Sequence, residues 1–249
     1  MLLTVSLGNT NVSFGLFEDA PSTPLSAGRL VRHGRLPAAD LPLLADRIGE
    51  QPIRRIALAS VAPEMTDRAI SLLSGSYRTE VLVAGRDLPY GIEIQCDEPE
   101  KVGADRLLNA IAAYARTRTA TLVADIGTAI TINAVSARGA FCGGAIAPGP
   151  ALMLRALHEH TALLPAVAYE KPASVLGRNT AAAMRSGAHW GAVALVESLL
   201  MRMAEELSPR APIILTGGDA ESIAGDLKIK FDLRPALTLE GLAILAGKP

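Results

Sequence analysis

Apolar and polar positions along this chain switch repeatedly between a two-residue period and a helical one. Residues 2–5 and 12–17 are short runs rich in Val, Leu and Phe, joined through Gly8-Asn9-Thr10-Asn11, and they read as paired strands. Residues 55–60 read as a buried strand. Residues 63–73 read as a helix, with Pro63 at its start, where the missing N–H does little harm. Residues 80–83 give a further strand. Across 102–115, Leu107, Leu108, Ile111 and Ala112 recur at helical spacing, which predicts an amphipathic helix. Residues 121–135 run from an apolar strand through Asp125-Ile126-Gly127 into an alternating strand, and 139–146 read as a third strand of that meander. Helices are expected at 149–160, at 179–207 (one long or two joined) and at 237–245. Residues 212–216 form a strand ending at Gly217-Gly218-Asp219. Strands and helices mixed throughout indicate an α/β protein, and no low-complexity linker marks a boundary.

One internal similarity organises these elements. Residues 5–15 (Val-Ser-Leu-Gly-Asn-Thr-Asn-Val-Ser-Phe-Gly) and 124–134 (Ala-Asp-Ile-Gly-Thr-Ala-Ile-Thr-Ile-Asn-Ala) share a plan. Each has an apolar strand, a polar residue, x-Gly, a small or hydroxyl-bearing residue, then a second strand. The glycines, Gly8 and Gly127, lie about half the chain apart. Two halves with one β-turn-β opening suggest a duplicated domain with a cleft between. Either turn alone reads as a plain hairpin. Together they also read as loops that wrap backbone N–H groups round a phosphate, with a glycine free to take positive φ and Thr10 or Thr128 assisting. Asp125, at a strand end, is placed to bind a cation that offsets phosphate charge.

Composition narrows the partners. The 249 residues are 49% apolar and 20% charged, with 24 Lys and Arg against 25 Asp and Glu, a net charge of −1. That balance gives no electrostatic case for nucleic acid or an anionic membrane as main partner. Two cysteines, Cys96 and Cys142, without CxxC, argue against a zinc site or disulfide framework, and read as small buried residues in a reducing compartment. No basic segment precedes the first apolar residues, and no run nears 18 apolar residues, so neither a signal peptide nor a membrane span is expected. The expected location is the cytoplasm.

Three further stretches carry candidate chemistry. In Val102-Gly103-Ala104-Asp105-Arg106, Asp105 reads as a helix-start acid favoured by the macrodipole beside a solvated Arg, or as a general base with Arg106 holding an anion. Thr180, in Gly177-Arg178-Asn179-Thr180, reads as a helix N-cap or as a donor to a polar ligand. Gly217-Gly218-Asp219 reads as an ordinary strand-to-helix turn or as the border of a nucleotide site. His158 and His160, two apart, make a poor metal pair, and His33 and His189 default to surface or packing roles. Trp190 reads as core or subunit interface.

Taken in order, Gly8-Asn9-Thr10-Asn11, Gly103 to Arg106, Asp125-Ile126-Gly127-Thr128-Ala129, Gly143 to Gly149, Leu164-Pro165, Gly177 to Thr180 and Gly217-Gly218 resemble the motif series of type III pantothenate kinases. The resemblance runs from Leu2 to Gly247. It implies two ribonuclease-H-like (actin-like ATPase) domains, at 1–115 and 116–249, each a mixed sheet flanked by helices. It implies transfer of the γ-phosphoryl group of ATP to pantothenate, giving 4'-phosphopantothenate, the first step toward coenzyme A. By the resemblance Asp105 matches the catalytic base, and Gly103, Ala104, Asp105 and Arg106 line the pantothenate site with Thr180 and the Cys96 position. Ser6, Leu7, Gly8, Asn9, Thr10, Asn11, Val12, Ser13 and Thr128 match ATP contacts. Asp125 matches a ligand of a monovalent cation, potassium or ammonium, used beside Mg2+, and the family's sites form near a homodimer interface.

Three positions depart from the pattern. Ser6 stands where the family has an aspartate that organises magnesium, Cys96 where a tyrosine lines the pantothenate pocket, and Asn133 where an acidic residue is common. A neutral serine oxygen attracts a metal ion less. These departures leave a second reading, a weakened or inactive relative that binds ligand or regulates. A third is a kinase of the same fold acting on another hydroxyl compound.

Overall fold

The computed structural model describes residues 1–18 and 27–247. Contacts divide the chain into two units: Met1–Arg118 with Gly139–Phe141 and the segment from Ala236, and Thr119–Arg138 with Cys142–Pro235.

The first unit is built on β1 (Leu2–Leu7), β2 (Asn11–Phe17), β3 (Leu30–Pro37), β4 (Arg55–Ser60) and β5 (Val81–Val83), in the order β3-β2-β1-β4-β5. β1 runs antiparallel to β2 and parallel to β4, and β4 runs parallel to β5. Its helices are α1 (Leu44–Ile48), α2 (Pro63–Tyr77) and α3 (Ala104–Thr117). On one sheet face Leu3, Val5, Leu7, Ile56 and Leu58 pack with Leu44 of α1 and Leu73 of α2. A leucine or isoleucine so buried stabilises by about 1.5–3 kcal/mol.

The second unit repeats the design with β6 (Thr121–Ile126), β7 (Ala129–Val135), β8 (Phe141–Pro148), α4 (Pro150–Glu159), α5 (Thr180–Leu207), β9 (Ile213–Thr216), α6 (Ala220–Ala224) and β10 (Asp232–Leu233). Its sheet order is β10-β9-β6-β7-β8, the first sheet's order with every strand replaced by its counterpart. β6 is antiparallel to β7 and parallel to β9, and β9 is parallel to β10. Leu122, Ala124 and Ile126 of β6 pack against Ala192, Val196 and Leu200 of α5. Two mixed five-stranded sheets of one topology, each flanked by helices, are the ribonuclease-H-like pair the motifs imply.

The last helix, α7 (Leu237–Ala246), groups with the first unit, where it packs on α3 and on β1, β2 and β4. A Cβ on Gly241 would lie 2.1 Å from the Leu108 carbonyl oxygen, so only glycine lets the two helix backbones approach this closely. Thr238 Oγ1 donates to the buried Asn109 Oδ1 at 2.8 Å. The short piece 139–141 joins the first unit because Phe141 pairs with residues 93–95: its N–H donates to Glu93 O at 2.9 Å, and its carbonyl accepts from Gln95 N–H at 2.8 Å. In these two pieces the grouping departs from a single cut near residue 115.

Most predicted elements recur with boundaries moved by one to four residues. The strand at 30–37, α1, α6 and β10 had no counterpart in the sequence reading. The 179–207 helix is single and begins at Thr180, and its N-cap is Asn179, whose Oδ1 accepts from Ala182 N–H at 2.8 Å; Thr180 is not the cap.

Candidate active site

The β1–β2 turn is tied from within. The Gly8 N–H donates to Asn11 O at 2.9 Å, Ala38 N–H to Thr10 O at 2.9 Å, and Val61 N–H to Leu7 O at 3.0 Å. Leu7 and Val12 are buried in the core, so only their main chain is left for a ligand. Asn9 and Thr10 are exposed at the turn, while Ser6, Gly8, Asn11 and Ser13 are half-buried. The expectation of positive φ fails here, because neither Gly8 nor Gly127 adopts it. Proximity favours Gly8 instead: a Cβ there would stand 3.1 Å from the Asn11 carbonyl, a tight contact. A phosphate at this turn would be met by the amides and hydroxyls after the glycine, since the glycine's own N–H is used inside the turn.

The β6–β7 turn is one residue shorter, with Gly127 N–H donating to Ala129 O at 3.0 Å. Two other loops are pinned to it. Gly149, at the start of α4, donates its N–H to Thr128 O at 2.9 Å, and a Cβ on Gly149 would fall 2.0 Å from Gly127 O. Asp219 N–H, after β9, donates to Ile126 O at 2.9 Å. Gly217 has φ +101, and a Cβ there would lie 2.3 Å from Ile126 O and 2.4 Å from Asp125 Oδ1. Three glycine-bearing loops thus converge round Asp125 and the exposed Thr128.

Register aligns the repeat. Ser6 and Asp125 each stand two residues before the turn glycine, and each lies between two paired strands. Ser6 faces Ser13 and Ala59, and Asp125 faces Thr131 and Thr216. Residues directly opposite share a sheet face, so Asp125 has threonine oxygens on either side. This hard-oxygen set suits an alkali or alkaline-earth cation. Ser6 has no such anionic centre. Among the described residues no group of three or more His, Cys, Asp or Glu is placed to hold a metal ion. Asn133 is fully buried on β7, its Nδ2 donating to Thr131 Oγ1 at 3.3 Å.

At the start of α3, Gly103 occupies the N-cap with φ −58 and ψ 140. The Asp105 carboxylate folds back over it: Oδ1 accepts from Arg106 N–H at 2.8 Å and would lie 2.7 Å from a Cβ on Gly103. Arg106 is not the solvated residue that one reading allowed. It is half-buried, with its Cζ 5.2 Å from the centroid of the Phe141 ring. Burial lowers its proton affinity, and Asp105 and Cys96 oppose that shift. Neither Cys96 nor Cys142 is in a disulfide, and both are half-buried rather than core. Tyr90, absent from the sequence reading, belongs with this group: burial raises its phenol pKa, and the Asp105 charge adds to the rise. Its ring lies over Gly85, which has φ +82. Nothing in the local pattern of 88–92 singled it out.

Thr180 is exposed at the first turn of α5. It borders a cleft of about 590 Å³ also lined by Leu157, Leu164, Gly177, Ala183 and Met184. Of the surface and packing roles open to His189, the structure shows the buried one, and adds a hydrogen-bonded network to it.

The type III pantothenate kinase family model matches residues 2–202. The type III pantothenate kinase of Geobacter sulfurreducens is 36% identical, over 98% of this chain and 98% of that protein. That of Gluconobacter oxydans is 37% identical, over 100% of this chain and 93% of its own length. Among solved structures, a protein of Campylobacter jejuni described as a Baf family transcriptional activator aligns with a TM-score of 0.60 at 20% identity, covering 96% of this chain and 94% of that one. The activator of 2-hydroxyisocaproyl-CoA dehydratase from Clostridium difficile, solved with bound ADPNP, aligns with a TM-score of 0.52 at 8% identity, covering 99% and 92%. At those identities the two structures bear on the fold alone.

Proposed function

Because the chain belongs to the type III pantothenate kinase family, we propose that it phosphorylates the primary hydroxyl of pantothenate with ATP, giving 4'-phosphopantothenate and ADP. The observation that carries this reading is the Gly103–Arg106 group: a carboxylate seated on a glycine at a helix start, beside a half-buried guanidinium.

The chemistry needs positioning and charge neutralisation more than covalent help. With Oδ1 engaged by the Arg106 N–H, Asp105 Oδ2 is left to take the proton of the acceptor hydroxyl. The hydroxyl oxygen then bonds to the γ-phosphorus as the bond from that phosphorus to the bridging oxygen of ADP breaks. Arg106, charged at any ordinary pH, offers a fork of donors to the acceptor's carboxylate. Asn9 and Thr10 at the first turn, and Thr128 at the second, are each exposed and each carry a group able to meet a phosphate oxygen. Bound magnesium supplies charge neutralisation of the phosphates, and the lack of an acidic cluster among the described residues suits an ion held chiefly by phosphate and water. Asp125, with its flanking threonines, is our candidate for the monovalent cation.

A homodimer fits the exposed Leu163, Val175 and Leu176, which adjoin in sequence the Leu164 and Gly177 that line the Thr180 cleft. Among the described residues no helix is long and apolar enough to cross a membrane. Cys96 and Cys142, neither of them in a disulfide, suit the cytoplasm, where ATP is supplied.

The deciding experiment incubates the purified protein with ATP, magnesium, potassium and pantothenate and follows phosphopantothenate by mass spectrometry. Product is expected. Absence of product with pantothenate and with a panel of other hydroxyl acceptors overturns the reading. Ser6→Asp restores to the first turn the acid its repeat partner carries. It is expected to raise kcat or lower the magnesium concentration for half-maximal rate by about three- to tenfold. If neither moves, the serine is not what limits metal use.

A further inference from the structure

Residues 160–179 contain neither helix nor strand, yet they are fastened along α5 and its neighbours at several points. His158 Nδ1 donates to Leu164 O at 2.9 Å, Arg185 Nε to Ala168 O at 3.1 Å, and Ser186 Oγ to Val175 O at 2.5 Å. Gly177 runs against the helix backbone, where a Cβ would lie 2.3 Å from Ala183 N. Leu164, Val167 and Tyr169 pack against Leu154, Met184 and Ala188. The segment is a strap, and it leads directly into Asn179 and Thr180.

The central fastening is polar and largely buried. Tyr169 Oη lies 2.9 Å from His189 Nδ1 and 3.2 Å from Ser222 Oγ; His189 Nε2 lies 2.9 Å from Asp226 Oδ2. Lys171, also on the strap, places Nζ 2.6 Å from the same Asp226 oxygen. Lys171 holds the Asp226 carboxyl below its usual range; burial opposes this and the His189 bond assists. An ionised Asp226 requires a hydrogen on Nε2, so the ring donates there. Burial raises the Tyr169 phenol, which keeps its proton. Its hydroxyl donates to a bare Nδ1 or accepts from a protonated one, so the Tyr169–His189–Asp226 chain survives either charge state of the ring. His189 is fully buried on α5, so removing Tyr169 or Asp226 leaves one nitrogen of a buried ring without its partner.

We infer that Tyr169, His189 and Asp226 form a positioning network: they fasten the 160–179 strap to α5 and so fix the Gly177–Thr180 edge for the acceptor. His189 follows Thr180 by about two and a half helical turns, so it acts through the strap rather than by touching substrate. The identity of the ligand rests on the kinase reading. The fastening does not.

Tyr169→Phe tests this, because it removes the hydroxyl and keeps the ring packed. The KM for pantothenate is expected to rise about three- to tenfold, the effect of one lost hydrogen bond. The KM for ATP and kcat should stay within about twofold, and amides of 164–178 should exchange with solvent faster than in the parent. Lys171→Met, at a half-exposed end of the network, should shift the same quantities the same way by less. An unchanged KM for pantothenate, or equal rises in both KM values, overturns the inference. If the parent protein makes no phosphopantothenate, the kinase reading falls and exchange alone judges the network. Faster exchange in the variant then upholds the fastening, and equal exchange overturns it.

Discussion

Asp105→Asn is expected to lower kcat by about 10²- to 10⁴-fold, the range supplied by a positioned general base, while the melting temperature stays within a few degrees of the parent. The substitution separates chemistry from structure because the amide keeps the shape of the carboxylate. An asparagine Oδ1 still accepts from Arg106 N–H and still rests against Gly103. What disappears is the lone pair at Oδ2 able to hold a proton, together with the negative charge that helps keep Arg106 protonated in its half-buried place over Phe141. The KM for pantothenate should change far less than kcat, since Arg106 and its donors remain. Steady-state kinetics on the parent and the variant, with a thermal melt on each, decide the matter. A kcat near the parent's would remove Asp105 as the base and move the search to another group near the acceptor.

Gly149→Ala should damage folding and nucleotide handling together. The new methyl would sit 2.0 Å from Gly127 O and 2.8 Å from Thr128 O. Both obstacles are backbone and cannot swing aside as a side chain would. The start of α4 must therefore move away from the β6–β7 turn, and the Gly149 N–H to Thr128 O bond is lost with it. Overpacking against fixed atoms costs about 1–3 kcal/mol or more. In a protein of this size that lowers the melting temperature by about 2–12 °C. Because Thr128 is our candidate phosphate contact, the KM for ATP should rise at least about fivefold as the turn is displaced. A melt and an ATP titration check both effects. A variant as stable as the parent would show that the three loops are not locked as described.

How much of this was legible beforehand follows from the range of the forces involved. β1, β2, β6 and β7 announce themselves because each is a run of mostly buried residues that abuts a glycine turn, all within a dozen residues. The α3 helix is equally plain, with its apolar positions in register from Leu107 to Ala113. β3 gave no such signal: of Leu30–Pro37 only Leu36 is buried, and Val31, Arg32, His33 and Arg35 are exposed without alternation. Its Gly34 makes sense only with the Phe14 ring in place, where a Cβ would come within 2.7 Å of ring carbons. α6 and β10, five and two residues long, are too short for any period to emerge.

The candidate site divides in the same way. Asp105, Arg106, Asp125 and Thr128 belong to compact motifs whose residues contact their sequence neighbours, so they stood out in the chain. Positive φ, expected at the turn glycines, belongs instead to Gly217, while Gly8 answers to a tight approach of the Asn11 carbonyl. Tyr90, and the network joining Tyr169 to His189 and Asp226, depend on partners 15 to 37 positions away in sequence, one of them in a segment without regular structure. A lone buried histidine looks the same in a sequence whether it packs or connects.

The closing helix α7 covers β1, β2 and β4 and meets α3 at Gly241. During synthesis, therefore, the first strands to leave the ribosome cannot bury that side until residues 237–246 have been translated. The first unit has to wait, partly uncovered, for a helix encoded far downstream of its own strands, so a nascent chain stalled before α7 is more exposed to chaperones and proteases than its length suggests.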